Sequence, residues 1–285
     1  MRRREFITLL GGAAVAWPLA AGAQQARKTP RIGVLWHAGS AEEEGPYFTS
    51  LLQGFRDLGY VEGKTITFEH RFPNEIPDRF KSMAAELASL HVDVLVSVGN
   101  VASPYAKNAT TTIPVVFAAV TDSVGRGLVA SLARPGGNLT GVSLSFEEGI
   151  SGKWLELLKD AFPRMARVTA LGRNPIDPVF RKDMTAAARA LGINLRLVPL
   201  RDLAELNTAL AGISRDRPDG LIVTAAPFLF THRTRIADSA SQLRLPTVAF
   251  SRELAAAGIL MSYGPSISGS FRRAATYVAQ SNGRE

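Results

Sequence analysis

The residues best suited to binding a small molecule follow strand-like segments. "VDVLVSV" is followed by Gly99, Asn100 and Val101, which begin a predicted helix, and "PVVFAAV" is followed by Thr121 and Asp122. Free amide groups at the start of a helix attract anions, and a hydroxyl beside a carboxylate accepts hydrogen bonds from an ammonium group. These residue types therefore indicate a site for a small polar molecule that carries a carboxylate.

The second half of the chain has similar strand ends. Its candidates follow "RVTALG", "GLIVTA" and "PTVAFS" and are Arg173, Asn174, Pro227, Phe228, Ser251, Arg252 and Glu253. Because ligands of open α/β sheets bind beyond the carboxyl ends of the strands, we expect these residues to converge. Each also has a purely structural alternative: Asp122 and Ser251 as helix caps, Phe228 as core, and Arg252 and Glu253 as solvated charges.

The motifs of nucleotide-binding proteins and hydrolases are absent. The glycine-rich stretch "ARPGGNLTG" at 133–141 lacks the lysine of a phosphate-binding loop, and no G-x-S-x-G is present. The chain has no cysteine and four scattered histidines, so no metal site and no cofactor are predicted. A secreted hydrolase that uses a serine near Ser262 or Ser266 remains an alternative from the enzyme class.

Strand-like and helical segments alternate from Arg31 to the end of the chain. This alternation predicts an α/β protein with parallel sheets, and about ten strands favour two Rossmann-like lobes over one. We interpret "ARPGGNLTG" as a turn whose glycines let the chain change sheets, delivering the strand "LTGVSLS" to a hinge. The predicted lobes are 30–142 plus 254–285 and 143–253.

The N-terminus has the order of a secretory signal. Three arginines precede a modestly apolar stretch, and small residues end it at Ala23, so residues 1–23 are predicted to be a signal peptide of the Sec or twin-arginine type. The predicted location is the periplasm. The net charge of +8 is spread along the chain and no nucleic-acid partner is indicated.

Three stretches resemble a known family. "IPVVFAAVTDSVGRGLVASLARPGGNLTGVS", "GYVEGKTITFEHRF" and "GILMSYGPS" are similar to the ABC-transporter substrate-binding proteins of the tryptophan-binding-like branch of type 1 periplasmic binding proteins. The resemblance runs from about Arg31 to Tyr277. It implies two α/β lobes joined by three crossovers, a small ligand enclosed between them, delivery to an ABC permease with its ATPase, and no catalysis. We expect a monomer.

The resemblance also implies roles for individual residues. Gly99, Asn100 and Val101 would hold a ligand carboxylate, with Ala119 and Thr121 beside them. Asp122 or Glu253 would face the ligand's ammonium group, and Phe228 would contact its body. The complete predicted ligand-binding set is Gly99, Asn100, Val101, Ala119, Thr121, Asp122, Asn174, Phe228, Ser251 and Glu253.

This sequence departs from the family pattern in three places. Ser123 stands where the family commonly has proline, and "GNVAS" replaces a "GTPAA"-like turn. The chain stops at "YVAQSNGRE", where relatives continue with a segment that completes the first lobe, so a truncated chain is expected. A periplasmic sensor that reports to a membrane receptor is an alternative to the transport role.

Overall fold

The computed structural model describes residues 29–144, 149–176 and 178–283. The predicted signal peptide lies outside them. The strands are β1 (Arg31–Leu35), β2 (Thr67–Arg71), β3 (Val94–Val98), β4 (Val115–Thr121), β5 (Leu139–Leu144), β6 (Arg167–Arg173), β7 (Asn194–Leu200), β8 (Gly220–Val223), β9 (Thr247–Ala249) and β10 (Met261–Ser262). The helices are α1 (Ala41–Glu44), α2 (Pro46–Asp57), α3 (Pro77–Ser89), α4 (Gly99–Ala109), α5 (Ile150–Ala161), α6 (Pro178–Ala190), α7 (Leu203–Asp216), α8 (Pro227–Thr231), α9 (Arg233–Gln242), α10 (Arg252–Ala256) and α11 (Ile267–Ser281).

The strands form two separate five-stranded parallel sheets. Their orders are β2-β1-β3-β4-β5 and β10-β9-β8-β6-β7. Each sheet is the centre of one lobe, so the predicted α/β architecture of two lobes is confirmed. The chain enters the second lobe between Leu144 and Ile150 and returns to the first between Ser262 and Ile267. The third crossover that the resemblance implies is not among the described residues.

Alternating side chains of the first sheet form two hydrophobic layers. Ile32 and Val34 of β1 belong to the layer under α2 and α11, whereas Leu35 belongs to the layer under α3 and α4. All five residues of β3 are buried, as expected for a central parallel strand covered on both faces. Gly54 lets α2 approach α11 closely, because a Cβ there would lie 2.5 Å from the Arg272 carbonyl oxygen.

The glycine-rich stretch at 133–141 does not change sheets, so that interpretation was wrong. It connects β4 to β5, and both strands belong to the first sheet, with Val115 paired to Leu139. Gly141 instead permits a close approach: its φ is 154°, and a Cβ would lie 2.1 Å from the Phe117 carbonyl oxygen. The passage to the second lobe comes only after β5.

Two further boundaries differ from the predictions. Residues 254–262 were assigned to the first lobe, but β10 pairs with β9, with Met261 opposite Val248, so this segment belongs to the second sheet. The single helix predicted over 229–243 is two helices, because His232 takes φ −97° and ψ 19° between α8 and α9. This break places Arg233 at the start of α9.

Candidate functional site

Two adjoining cavities lie between the lobes, at the carboxyl ends of strands from both sheets. The inner one has a volume of about 80 Å³ and the outer one about 740 Å³. The outer volume is within the usual range for ligand sites, roughly 300 to 1,000 Å³. The two cavities share the wall residues Asn100, Thr121, Leu144, Ala225, Ala226 and Pro227.

Helix α4 begins in the wall of the inner cavity. Gly99 has φ 74°, which favours glycine, and its N-cap residue Val98 makes no side-chain hydrogen bond to the first turn. The first amide groups of α4 are therefore not capped by that side chain and carry the positive end of the helix dipole. Gly99 and Asn100 line the inner cavity, and Asn100 and Val101 line the outer one, so all three predicted residues reach the cleft.

Asn100 ties the start of α4 to the end of β4. Its Nδ2 donates to Thr121 Oγ1 at 2.7 Å, and its Oδ1 accepts from the Thr121 backbone N–H at 2.9 Å. This pair of bonds fixes the side-chain orientation of both residues in the wall of both cavities. The structure thus brings together Gly99, Asn100 and Thr121 as predicted from their strand ends.

The end of β4 has an unusual backbone. Ala119 and Asp122 have φ of 57° and 48°, and the pairing of β4 with β5 shifts register between Phe117 and Val120. Ala119 faces the inner cavity and Asp122 the outer one. Asp122 Oδ1 accepts from the Gly125 N–H at 2.9 Å, and the side chain is otherwise exposed, so its role toward an ammonium group stays a prediction.

Aromatic rings from both lobes line the inner cavity. Tyr47 of α2 stacks on Phe230 of α8 with ring centroids 4.0 Å apart, and on Phe271 of α11 at 5.2 Å. Phe250 completes this wall. The sequence reasoning missed these rings. Tyr47 has a detectable signal, because it precedes Leu51 and Phe55 at spacings of four on the buried face of α2.

A buried charge cluster lies at the first-lobe side of the inner cavity. His37 Nε2 lies 3.2 Å from Glu44 Oε2, and His37 Nδ1 lies 3.3 Å from Glu75 Oε1. Burial lowers the pKa of His37, but the charges and hydrogen bonds of Glu44 and Glu75 outweigh it and raise that pKa to about 10. His37 is therefore an imidazolium at neutral pH, a role that was not predicted from the sequence.

One ion pair of this cluster crosses to the second lobe. Arg173 Nη2 lies 3.5 Å from Glu75 Oε2, and Arg173 also borders the outer cavity beside Asn174. Asn174 is exposed there, as predicted for a strand end. Phe228 is different: its ring packs against Arg173 and His232, with centroid distances of 5.4 Å and 4.8 Å, and it is absent from the described walls of both cavities. Phe230 lines the inner cavity in its place.

Ser251 and Glu253 lie behind the aromatic wall. Both are buried, and neither is among the described lining residues of the two cavities. Glu253 Oε1 accepts from Ser268 Oγ at 2.5 Å. Tyr47 Oη, Ser251 Oγ and Glu253 Oε2 are buried without a hydrogen-bond partner among the described residues. Burial raises the pKa of the Tyr47 phenol, and the nearby Glu253 carboxylate raises it further.

Ser251 and Asp122 were also considered as helix caps. Ser251 precedes α10 but makes no side-chain capping bond, so its hydroxyl is not used as a cap. Asp122 instead stabilises a turn, because its carboxylate accepts from the Gly125 N–H.

Over the described ranges, no three histidine, cysteine or carboxylate side chains are grouped to hold a metal ion. No helix in those ranges is long and apolar enough to cross a membrane.

Comparison with known proteins gives a consistent result. The family model described as "ABC transporter substrate binding protein" matches residues 46–280. A curated relative, the tyrosine-binding protein of Clostridioides difficile (strain R20291), is 33% identical over 149 residues, which are 50% of this chain and 40% of that protein. The chain therefore matches less than half the length of this relative.

Solved structures share the fold at lower identity. A conserved domain protein from Vibrio cholerae has a TM-score of 0.77 at 24% identity, covering 90% of this chain and 88% of its own. An ABC domain from Streptococcus pneumonia in complex with L-Trp has a TM-score of 0.77 at 20% identity, covering 89% and 84%. These likenesses establish the type 1 periplasmic binding protein fold.

Proposed function

This chain belongs to the ABC transporter substrate-binding protein family, and on that premise we propose that it captures an amino acid or a similar small carboxylate between its lobes. The lobes release the ligand to an ABC permease with an associated ATPase. The protein acts after export to the periplasm, as a monomer and without catalysing a reaction.

The observation that carries the proposal is the start of α4 in the cleft wall. The Gly99 and Asn100 amides project at the positive end of the helix, and the Asn100–Thr121 bonds hold the adjoining polar wall in place. A carboxylate bound there accepts charge-assisted hydrogen bonds from backbone amides, which are stronger than bonds between neutral groups.

Three buried polar atoms without hydrogen-bond partners form a candidate site for the ligand's ammonium group. An ammonium group has three donors, and Tyr47 Oη, Ser251 Oγ and Glu253 Oε2 are three acceptors without partners among the described residues. Tyr47 lines the inner cavity, and the Glu253 carboxylate and the Ser251 hydroxyl lie beside its phenol oxygen. We favour Glu253 over Asp122 for this role because Asp122 is exposed and already holds Gly125.

Two named relatives support an amino acid. The curated relative is a tyrosine-binding protein, and the Streptococcus pneumonia structure holds L-Trp. The aromatic inner wall suits an apolar ligand body, while the outer cavity, with Arg173 and Asn174, accommodates polar groups. Micromolar to nanomolar binding needs roughly 8 to 12 kcal/mol, within the capacity of one enclosed molecule with paired charges.

A thermal-shift screen of the purified mature chain tests this function. The panel contains the amino acids, short peptides, sugars and organic acids, each at millimolar concentration. A ligand present at about 100 times its Kd stabilises the folded state by about 2.7 kcal/mol, which shifts the melting temperature by several degrees. We expect hits among amino acids or related carboxylates; hits confined to sugars would refute the carboxylate seat.

A further inference from the structure

A column of flat groups crosses the boundary between the lobes. The Arg233 guanidinium lies 4.3 Å from the centroid of the Phe230 ring, and Phe230 stacks on Tyr47 at 4.0 Å. Tyr47 in turn stacks on Phe271 with an interplanar angle of 13°. Arg233 and Phe230 come from the second lobe, whereas Tyr47 and Phe271 come from the first, so the stack joins the two.

Arg233 also bonds to the backbone on both sides of that boundary. Its Nη1 donates to the Phe230 carbonyl at 3.0 Å and to the Glu43 carbonyl at 3.5 Å. Glu43 is near the end of α1 in the first lobe, where carbonyl groups commonly accept from basic side chains. One guanidinium therefore bridges a carbonyl of each lobe.

The first lobe is shaped to receive this guanidinium. Gly45, between α1 and α2, has φ 55° and ψ −123°, and a Cβ at that position would lie 2.7 Å from Arg233 Nη2. A residue with a side chain would therefore both strain the backbone and collide with the arginine. The guanidinium is held between the Gly45 backbone and the Phe230 ring.

From these contacts we propose that Arg233 is a positioning residue for ligand capture, which holds the lobes in their closed arrangement. It acts through Phe230 and Tyr47, which line the inner cavity, and so couples closure to the shape of the ligand site. The proposal rests on the proposed function only in that opening admits a ligand. The contact itself requires none.

Arginine is the side chain that this contact requires. Its planar group stacks on a ring and directs several N–H donors at once, whereas the compact lysine ammonium does neither. The contact with Glu43 is to a carbonyl and not to a carboxylate. It is therefore less sensitive to salt than the pair of Arg173 and Glu75, which is partly exposed and screened at about 1 M salt, where the Debye length is about 3 Å.

The test measures the distance between the lobes without any ligand. The chain has no cysteine, so Lys81→Cys on α3 and Arg189→Cys on α6, both at exposed positions, attach one spin label to each lobe. Pulsed dipolar spectroscopy then reports the distribution of distances. We expect the labelled parent to populate a short distance that persists in 1 M NaCl, and the share of that distance to be at least threefold smaller in Arg233→Ala.

Two further variants separate a closure contact from general stability. Arg235→Ala is the matched control, because Arg235 bonds only to Asn207 within its own lobe among the described contacts, and its distances should equal those of the parent. Arg233→Lys should resemble Arg233→Ala despite its retained charge. Unchanged distances in Arg233→Ala, full closure in Arg233→Lys, or opening of the parent in 1 M NaCl would each overturn the proposal. A negative ligand screen would leave this measurement unaffected.

Discussion

The strand ends of the two lobes form the cleft in different ways. In the first lobe, Gly99, Asn100 and Thr121 line the cavities, and the Asn100 side chain forms two hydrogen bonds to Thr121 on the adjacent strand. In the second lobe, Phe228 and Glu253 are absent from the described cavity walls, and Phe230 lines the inner cavity. Strand ends therefore indicate where polar backbone groups line the cleft, whereas the aromatic walls depend on how the helices pack.

The carboxylate site at the start of α4 should contribute the largest part of the binding free energy. Asn100→Ala removes both hydrogen bonds to Thr121, so the Thr121 backbone N–H loses its acceptor. Loss of hydrogen bonds that organise a charged site costs about 2 to 3 kcal/mol, so we expect calorimetry to show an affinity about 30 to 150 times weaker. Asn108→Ala, on the exposed face of the same helix, is the control. Similar affinity in both variants would remove Asn100 from the account.

Glu253 should discriminate between ligands with and without an amine. Glu253→Gln keeps the shape but removes the charge that would pair with an ammonium group. We expect about tenfold weaker binding of an amino acid, from a loss near 1.4 kcal/mol, and no change for its deaminated analogue. Glu156→Gln, at a surface pair with Lys153, serves as the control. An equal loss for both ligands would argue against an amine seat at Glu253.

Substitutions of Phe228 and Phe230, both on α8, test which of the two rings contacts the ligand. Phe230→Leu removes the stack with Tyr47, and aromatic pairs contribute about 0.5 to 1.5 kcal/mol beyond burial, so affinity should fall about threefold to tenfold. Phe228→Leu alters a ring outside the described cavity walls and should change the melting temperature with little change in affinity. The reverse pattern would restore Phe228 as the ligand contact.

The last prediction concerns how folding stability depends on pH, not ligand affinity. The pKa of folded His37 is about 10 and its ordinary value is 6.5. Its contribution to the free energy of unfolding is therefore fully present below pH 6.5 and is lost as the pH rises toward 10. Chemical denaturation of the parent should show this decline, and His37→Asn should flatten it, whatever its absolute stability. An equally steep decline in the variant would mean that other groups titrate.

The sequence predicted the fold better than it predicted the site. Periodicity located the strands and helices of both lobes, because buried parallel strands such as β3 are continuously apolar. Residues 133–141 were wrongly predicted to lead from one sheet to the other. A glycine that permits a close approach to Phe117 cannot be told from the sequence apart from one that permits a turn between sheets. Local sequence does not reveal which sheet a strand joins.

The missed site residues have a common physical cause. His37 is protonated because Glu44 and Glu75 lie beside its ring, and Glu75 comes from a distant part of the sequence, so no local spacing marks the cluster. Tyr47 and Phe271 have the helical spacing of ordinary core residues. Their role follows only from the meeting of two lobes, which periodicity within one element does not describe.

The carboxylate site at the start of α4 is tested by comparing an amino acid with its methyl ester. The ligand identified by the thermal-shift screen and its ester are titrated calorimetrically into the parent and into Asn100→Ala. We expect the ester to bind the parent at least tenfold more weakly, because it lacks the anion that the start of α4 attracts. Asn100→Ala should reduce this difference in affinity between acid and ester. Equal affinity of acid and ester for the parent would contradict the carboxylate seat.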